Sequence, residues 1–143
     1  NFLESNNYNK LDAMVILPAT APLRSQKDVN NAIDLFEKGG CDAVISVKNA
    51  SRNPYFNMTK VNRKKFSEIM LKSTSIISNR QNAPQLFDMT TVVYVVSINH
   101  IKKNNYLFDG LVKQIVIPEE RAIDIDNKFD FKIARMLLKK TIK

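Results

Sequence analysis

Two aspartates one residue apart are the clearest candidates for chemistry in this sequence. Asp124 and Asp126 alternate with Ile123 and Ile125 in the stretch AIDID. If this stretch is extended, both carboxylates point one way and both isoleucines the other. Two like charges held this close repel each other unless a cation or a hydrogen-bond donor lies between them. The pair is therefore a candidate Mg²⁺ site, because Mg²⁺ needs only one or two carboxylates when substrate phosphates complete its shell.

The same two aspartates also have a structural interpretation. Asp126 can cap the helix that follows it, and Asp124 can be a solvated residue at the end of a strand. The D-x-D pattern is short and common, so spacing alone favours this interpretation. The position of the pair favours a ligand site, because ligands of open α/β sheets bind at the carboxyl ends of strands.

Three further segments carry candidate binding residues. The loop LPATAPLRS, 17–25, leads into a predicted helix N-terminus, where Thr20 can donate a hydrogen bond and Arg24 can bind a carboxylate or fix the loop. Arg80, in SNRQNAP, can grip a carboxylate with two hydrogen bonds, although an ordinary surface arginine is the commoner case. Tyr94 lies within TTVVYVV and is by default a core aromatic whose hydroxyl finds a partner.

Strands alternate with helices in the pattern of an α/β layer protein. Four β-rich or apolar runs predict strands, the first of them buried: LDAMVIL (11–17), DAVISV (42–47), TTVVYVV (90–96) and VKQIVI (112–117). The first two runs flank a predicted helix, so they form a βαβ unit with parallel strands. Between 48 and 88 the pattern weakens, which indicates irregular strands or a hairpin arm.

Helix signals separate these strands. Ser25 and Asp28 form a capping box, and the helix that they begin ends at KGG, 38–40. The segment SINHIKKNN predicts a short helix after the third strand. A last helix begins at Asp126 or Asn127. The apolar residues predicted to face the core are Val29, Ala32, Ile33 and Phe36 in the first helix, and Phe129, Ile133, Met136 and Leu137 in the last.

Composition limits the classes of protein to consider. The chain has 143 residues, of which 44% are hydrophobic, enough for one domain with a core. It has one cysteine, no signal pattern and no apolar run that could cross a bilayer, so we expect a cytoplasmic protein without membrane contact. The net charge of +8 is scattered and not interleaved with aromatic residues, which argues against nucleic-acid binding.

Four segments in this order carry a family resemblance: LPATAPLR, DAVISV, RQNAP followed by TTVVYVV, and PEERAIDIDNKFDFKIARMLL. Together they resemble the CMP-sialic acid synthetases, the acylneuraminate cytidylyltransferases, over residues 11 to 140. The resemblance implies a Rossmann-like nucleotidyltransferase sheet with flanking helices. It also implies transfer of CMP from CTP to a nonulosonic acid, with release of pyrophosphate and with Mg²⁺ as cofactor, for a surface glycan or flagellin.

The resemblance assigns roles to individual residues. The paired aspartates of the family, which bind Mg²⁺, fall on Asp124 and Asp126. Its carboxylate-binding arginine falls on Arg80 and its sugar-pocket tyrosine on Tyr94, while Thr20 and Arg24 belong to the strand-end loop that contacts substrate. By the same analogy, segment 48–88 contributes to a homodimer interface.

The sequence also departs from the family pattern. Pro18 stands where the family has a glutamine, Thr90 and Thr91 replace an Asn-Gly pair, and Phe56 aligns with a lysine of the sugar pocket. A pocket that loses polar groups rejects the usual sugar, so the variants favour a bacterial acid of the legionaminic type over N-acetylneuraminate.

The glycine-rich, basic loop that holds CTP in the family has no match in this sequence, which contains only three glycines. We therefore expect the C-terminal part of a single cytidylyltransferase domain, truncated at its N-terminus and inactive alone. Two alternatives stay open. One is a cytidylyltransferase for another 3-deoxy sugar acid, and the other is a non-catalytic remnant that binds a sugar acid or mediates oligomerisation.

Overall fold

The computed structural model describes residues 11–73 and 80–141, without the side chains of Arg80, Lys140 and Thr141. The chain divides into two compact units. The first comprises the chain up to Lys48 together with the chain from Met89 onward, and the second is Asn49–Asp88. None of the helices that the described residues form has the length and apolar character needed to cross a bilayer.

A four-stranded mixed sheet with flanking helices organises the first unit, and this confirms the predicted α/β class. Its strands lie in the order β1, β5, β2, β6. In chain order they are β1 (Ala13–Ile16), β2 (Ala43–Asn49), β5 (Phe87–Ser97) and β6 (Val112–Val116), and the helices are α1 (Gln26–Glu37), α2 (Ile98–Lys103) and α3 (Lys128–Thr141). Each of the four predicted strands is present.

The two strands of the predicted βαβ unit are parallel but not adjacent, because β5 lies between them. β1 pairs antiparallel with β5, and β2 pairs parallel with β6. The Ser97 N–H donates to the Asp42 carbonyl and the Val93 N–H to Ser46 Oγ, so β5 also runs antiparallel to β2. The long connections that make β5 a neighbour of both strands leave no trace in local sequence.

The prediction that the first strand is buried is wrong. Among the strands that residues 11–73 and 80–141 form, β1 lies at the edge of the sheet and pairs with β5 alone. Its apolar side chains and those just outside it are exposed by 36 to 49%: Leu11, Met14, Val15, Ile16 and Leu17. An apolar run of strand length does not reveal whether one or both of its faces are covered, so the sequence could not settle this point.

Helix α1 forms as its sequence predicts. Ser25 Oγ accepts the Asp28 N–H, and the Asp28 carboxylate accepts the Ser25 N–H at 2.9 Å, which completes the capping box. The helix ends at Glu37, before Gly39 and Gly40 adopt the positive φ values of 72° and 69° that glycine tolerates best. The predicted apolar face packs on the core: Ala32 is buried, and Val29, Ile33 and Phe36 pack against it.

The predicted buried stripe of α3 is wrong in two of its four members. Phe129 and Met136 are exposed by 68% and 65%, whereas Ile133 and Leu137 are half-buried. The residue that contacts the core most fully is Ala134, which is only 1% exposed. The buried face of α3 is therefore rotated from the prediction, because a small alanine allows close approach where the larger side chains lie at the flanks.

The second unit contains a two-stranded antiparallel hairpin, β3 (Thr59–Val61) with β4 (Ser67–Ile69), and a short 3₁₀ helix, Arg80–Asn82. Asn53 holds its segments together. Its side-chain amide donates to the Pro84 carbonyl at 2.9 Å, and its oxygen accepts the Tyr55 N–H at 3.0 Å. This segment is the one that the sequence predicted as irregular strands or a hairpin arm.

Replacing Gly110 with alanine will destabilise the first unit by about 3 kcal/mol through overpacking. A Cβ at this position would lie 2.7 Å from both Asp42 Oδ2 and His100 Nδ1. Neither group is free to move, since Asp42 Oδ2 accepts the Leu111 N–H and the buried His100 ring is held by Asn104 and Tyr106. Urea denaturation measures the loss.

Gly39→Ala is the comparison for this substitution, because nothing lies within 4 Å of a Cβ there and only the positive φ opposes a side chain. Its expected cost is about 1 kcal/mol. Equal losses of stability in the two variants would contradict the steric explanation for Gly110.

Candidate functional site

A cavity of about 310 Å³ opens in the first unit at the carboxyl end of β2, near the segment that follows β6. Its lining contains three carboxylates and one ammonium group. The residues around it are Lys48, Met89, Thr90, Ala122, Ile123, Asp124, Asp126 and Asp130. The predicted position of the aspartate pair at strand carboxyl ends thus matches the structure, and ligands of open α/β sheets bind at such ends.

Asp124 is the most unusual side chain of this cavity. It is half-buried, and its Oδ1 atom is shielded from solvent without a hydrogen-bond partner among the described residues. A buried carboxylate oxygen without a partner is costly, because it loses its hydration and receives nothing in exchange. The carboxylate is therefore suited to accept a ligand that the chain itself does not supply, such as a cation.

Tyr94, on β5, lies close enough to Asp124 to feel its charge. Burial raises the pKa of Tyr94, and the negative charge of Asp124 raises it further. The phenol consequently stays protonated at physiological pH and remains a hydrogen-bond donor. The structure thus brings the predicted sugar-pocket tyrosine and one predicted metal ligand together, which sequence distance alone could not establish.

Asp126 does not cap the last helix. Asn127 does so: its Oδ1 accepts the N–H groups of Phe129 and Asp130 at 2.8 and 3.1 Å. The Asp130 carboxylate in turn accepts the N–H groups of Asp126 and Asn127, both at 3.1 Å. The Asp126 carboxylate is left exposed at the cavity, so the structural interpretation of this residue is wrong.

The backbone bonds of Asp130 predict how its variants behave. If the aspartate pair holds Mg²⁺, as the family resemblance implies, Asp130→Ala will weaken Mg²⁺ binding about 10-fold, because the backbone that carries Asp126 loses two acceptor bonds. Asp130→Asn keeps an acceptor oxygen and will bind Mg²⁺ nearly as the unmodified protein does. Titration calorimetry with Mg²⁺ measures both. Equal weakening in the two variants would instead indicate that the negative charge of Asp130 acts on the ion directly.

The loop after β1 makes a backbone hydrogen bond to residues 124–126, the aspartate segment. The Thr20 carbonyl accepts the Ile125 N–H at 2.9 Å, so Thr20 lies beside the residue that separates the two aspartates. The exposed Thr20 side chain is free to meet a ligand on this side.

Arg24 stabilises the same loop through hydrogen bonds to backbone carbonyls. Its guanidinium donates to the carbonyls of Ala21 at 3.2 Å, Val92 at 2.9 Å and Pro18. These bonds occupy the fork that would otherwise bind a carboxylate, so the geometry supports a role for Arg24 in organising the loop.

An ion pair between a buried carboxylate and a partly exposed arginine joins α1 to the segment that precedes Asp124 and Asp126. Arg121 donates from Nε to Asp28 Oδ2 at 2.9 Å and from Nη2 to Oδ1 at 2.8 Å. Asp28 is only 3% exposed, and burial by itself raises its pKa. The hydrogen bonds from Arg121 and Ser25 outweigh burial and hold the pKa of Asp28 below its ordinary value. The Asp28 carboxylate therefore positions both the capping box of α1 and, through Arg121, the segment that leads to Asp124 and Asp126.

Thr90, one of the departures from the family pattern, contributes a side chain to the cavity. Its hydroxyl donates to Ser46 Oγ at 2.8 Å, and Ser46 Oγ donates to the Thr90 carbonyl at 3.1 Å. The hydroxyl of Thr91 is buried without a partner among the described residues. This wall of the cavity is thus built from β2 and β5 together.

Arg80 and Phe56 belong to the second unit, whereas the residues that line this cavity belong to the first. Arg80 is the first residue of the 3₁₀ helix, but its side chain lies outside the described residues, so its predicted role in binding a carboxylate stays a prediction. Sequence reasoning missed Lys48, Asp130 and Arg121. The N-x-x-D spacing of Asn127 and Asp130 is a capping-box signal that could have identified Asp130.

The donor set of the cavity fits a magnesium ion. Within residues 11–73 and 80–141, no cluster of three or more histidine, cysteine or acidic side chains is arranged to hold a metal. Two carboxylates with substrate phosphates are, however, what Mg²⁺ ordinarily uses. Asp124, whose Oδ1 has no partner among the described residues, and Asp126, whose side chain does not cap α3, would supply these two carboxylates.

Comparison with known proteins finds no matching family model, but it finds relatives. The chain is 32% identical over 139 residues to post-translational flagellin modification protein B of Campylobacter coli, covering 96% of the chain and 58% of the relative. It is 31% identical over 127 residues to CMP-N,N'-diacetyllegionaminic acid synthase of Campylobacter jejuni, covering 89% of the chain and 53% of the relative. The chain thus spans somewhat more than half the length of these relatives.

A solved structure shows the same fold. The 4-diphosphocytidyl-2C-methyl-D-erythritol synthase of Anaerococcus prevotii superposes with a TM-score of 0.57 at 11% identity, covering 95% of this chain and 64% of that one. At this identity the likeness concerns the fold alone. It confirms the predicted Rossmann-like nucleotidyltransferase sheet.

Proposed function

We propose that the chain belongs to a CMP-sialic acid synthetase-like family, like the two relatives that it matches, and that the full-length protein transfers CMP from CTP to a nonulosonic acid. The anomeric hydroxyl oxygen of the sugar bonds to the α-phosphorus of CTP. The bond between the α- and β-phosphates breaks, pyrophosphate leaves, and the hydroxyl proton passes to solvent or a base. The product is a CMP-sugar for a surface glycan or flagellin.

The observation that carries this proposal is the partnerless carboxylate oxygen of Asp124, in one cavity with Asp126. A shielded carboxylate oxygen without a partner among the described residues is a cost to folding that a bound Mg²⁺ would remove. Mg²⁺ held there supplies positive charge that offsets the triphosphate. The chain itself keeps the two carboxylates in place, through the Asp130 bonds to the backbone and the Thr20 bond to Ile125.

Other side chains orient the sugar acid. The protonated Tyr94 hydroxyl, next to Asp124, donates a hydrogen bond toward the substrate. Arg80 binds the sugar carboxylate with its planar fork. Thr20 faces the ligand from the loop that Arg24 holds, so binding and ion coordination depend on the same loop.

Two departures from the family pattern support an acid of the legionaminic type. Pro18, in the loop after β1, offers no side-chain donor, and the Thr90 hydroxyl in the cavity lining already donates to Ser46. A substrate that relies on an amide at these places would leave its own polar groups unpaired. One relative at 31% identity is named for this chemistry, a CMP-N,N'-diacetyllegionaminic acid synthase.

Exposed apolar side chains in the second unit support a homodimer. They lie in and beside the hairpin and are exposed by 36 to 69%: Met58, Val61, Phe66, Ile69, Met70 and Leu71. A patch of this kind on a small unit is typical of a protein interface. Sedimentation of the full-length protein measures the oligomeric state.

Pyrophosphate release tests the proposed function. The full-length protein and this chain alone are incubated with CTP, Mg²⁺ and a panel that contains N-acetylneuraminate, legionaminic acids and 3-deoxy-D-manno-octulosonate. We expect release by the full-length protein with a legionaminic acid, and none by this chain alone. Preference for the octulosonate would favour the alternative cytidylyltransferase, and silence from well-folded full-length protein with every acid would overturn the proposal.

A further inference from the structure

Among the residues that the structure describes, Lys48 is the one cationic residue in the lining of the cavity that contains Asp124, Asp126 and Asp130. It is the penultimate residue of β2, which ends at Asn49, and its side chain is half-buried. The strand pairs with β6 through Val47 and Val116, so the position of Lys48 is fixed by the sheet. A half-buried lysine carries a cost of desolvation, which a structural lysine offsets by pairing with a carboxylate.

Lys48 forms no such pair within the described part of the chain. The ion pairs found there join Arg121 to Asp28 and to Glu120. Three carboxylates share the cavity with Lys48, yet none of them is bonded to its ammonium group. Asp130 is instead directed to the backbone of Asp126 and Asn127.

The distribution of charge indicates what fits between these groups. Two carboxylates without internal partners attract a cation, and the ammonium group across the cavity attracts an anion. A ligand that carries an anionic oxygen and is bound together with Mg²⁺ satisfies both sides at once. A volume of about 310 Å³ accommodates such a group.

We propose that Lys48 binds an anionic oxygen of the substrate in this cavity, either of the triphosphate or of the sugar carboxylate. The proposal rests on the proposed function for the identity of the substrate. Lys48 then determines affinity for that anion. It does not hold the metal, and it opposes the binding of free Mg²⁺ because its own charge repels the ion.

The test compares Lys48→Gln with the unmodified full-length protein in three titrations. The ligands are Mg²⁺ alone, pyrophosphate with Mg²⁺, and the preferred sugar acid without nucleotide. We expect about 10-fold weaker binding of one anion, the loss expected for a charge-assisted hydrogen bond. Mg²⁺ alone will bind slightly more tightly. Loss of pyrophosphate affinity identifies the triphosphate as the partner, and loss of sugar-acid affinity identifies the carboxylate.

Two variants complete the design. Lys38→Gln makes the same change of charge at an exposed residue just after the last turn of α1, outside the lining of the cavity. We expect it to alter none of the three affinities. Lys48→Arg keeps the charge and will keep most of the anion affinity. Lys48→Arg is also measured if the glutamine variant fails to fold. Because it keeps the positive charge, we expect it to bind Mg²⁺ as weakly as the unmodified protein does and to bind the anion nearly normally.

The proposal is overturned if Lys48→Gln binds both anions as tightly as the unmodified protein does, or if the unmodified protein binds neither. A parallel loss of Mg²⁺ affinity and thermal stability would also overturn it, since that result indicates a structural lysine. The Mg²⁺ and pyrophosphate titrations do not depend on turnover. Absence of CMP transfer would therefore refute the proposed function, and these titrations would still decide whether Lys48 binds an anion.

Discussion

Asp126→Asn in the full-length protein will lower Mg²⁺-dependent CMP transfer by about three orders of magnitude, or ~4 kcal/mol of transition-state stabilisation. The Asp126 carboxylate is exposed at the cavity and takes no part in capping α3, which Asn127 begins. Its loss removes a candidate ligand of the ion without removing a bond that holds the fold. We therefore expect the melting temperature to stay unchanged.

Turnover is measured by pyrophosphate release over a range of Mg²⁺ concentrations, and the fold by circular dichroism. Asp34→Asn, on the exposed side of α1, removes the same charge away from the cavity and serves as the control. Unchanged turnover in Asp126→Asn would refute the assignment of this residue to the metal. A fall in turnover that excess Mg²⁺ restores would show that Asp126 governs affinity for the ion.

Arg121→Met will destabilise the protein by about 3 kcal/mol at neutral pH. The substitution keeps most of the apolar stem and removes both hydrogen bonds to Asp28, leaving a carboxylate that is 3% exposed without its charged partner. Urea denaturation measures the loss. Arg135→Met, on the exposed side of α3, removes an arginine without a buried partner and will change stability by less than about 0.5 kcal/mol.

The pH dependence of this difference has a definite sign. In the unmodified protein, the pKa of Asp28 is held below its ordinary value, so the stabilisation is present above about pH 4 and is lost as pH falls through the folded pKa. In Arg121→Met, burial is no longer outweighed and raises the pKa of Asp28, so acid relieves the cost of the buried charge. The gap in stability between the two proteins will therefore narrow as pH falls from 7 to 3: above about pH 4 because protonation of Asp28 stabilises the variant, and below about pH 4 because the unmodified protein loses its ion pair.

A gap that stays constant from pH 7 to pH 3 would contradict this account, since it would place the loss in the packing of the arginine stem. Asp28→Asn separates the two explanations. It removes the charge but keeps acceptor and donor groups at the capping box, and its stability will vary less with acid than that of the unmodified protein.

Local signals accounted for most of the elements. Each predicted strand is present, and the capping box at Ser25 and the glycines after Glu37 bound α1 as expected, because caps and stops act over a few residues. The faces of elements were harder to predict. The burial of β1 and half of the α3 stripe were wrong, since exposure depends on which element lies opposite.

Local patterns in the sequence likewise indicated some residues of the candidate site but not others. The D-x-D spacing made Asp124 and Asp126 candidates, and the order of four motifs gave a family resemblance that agrees with the relatives found. The sequence also made Thr20, Arg24 and Tyr94 candidates. No local pattern revealed the Asp28 pair with Arg121, whose partners are 93 residues apart in sequence.

The sequence by itself determined the alternation of strands and helices, the capping signals and the family resemblance, because these depend on side chains within a few positions of each other or on the order of motifs. Only the tertiary structure decided that β5 lies between β1 and β2, that Asp124 Oδ1 is shielded without a partner among the described residues, and that Lys48 lines the same cavity. Such properties arise where segments that are distant in sequence pack together and exclude water. The spacing of residues along the chain does not reveal which distant segments will pack together.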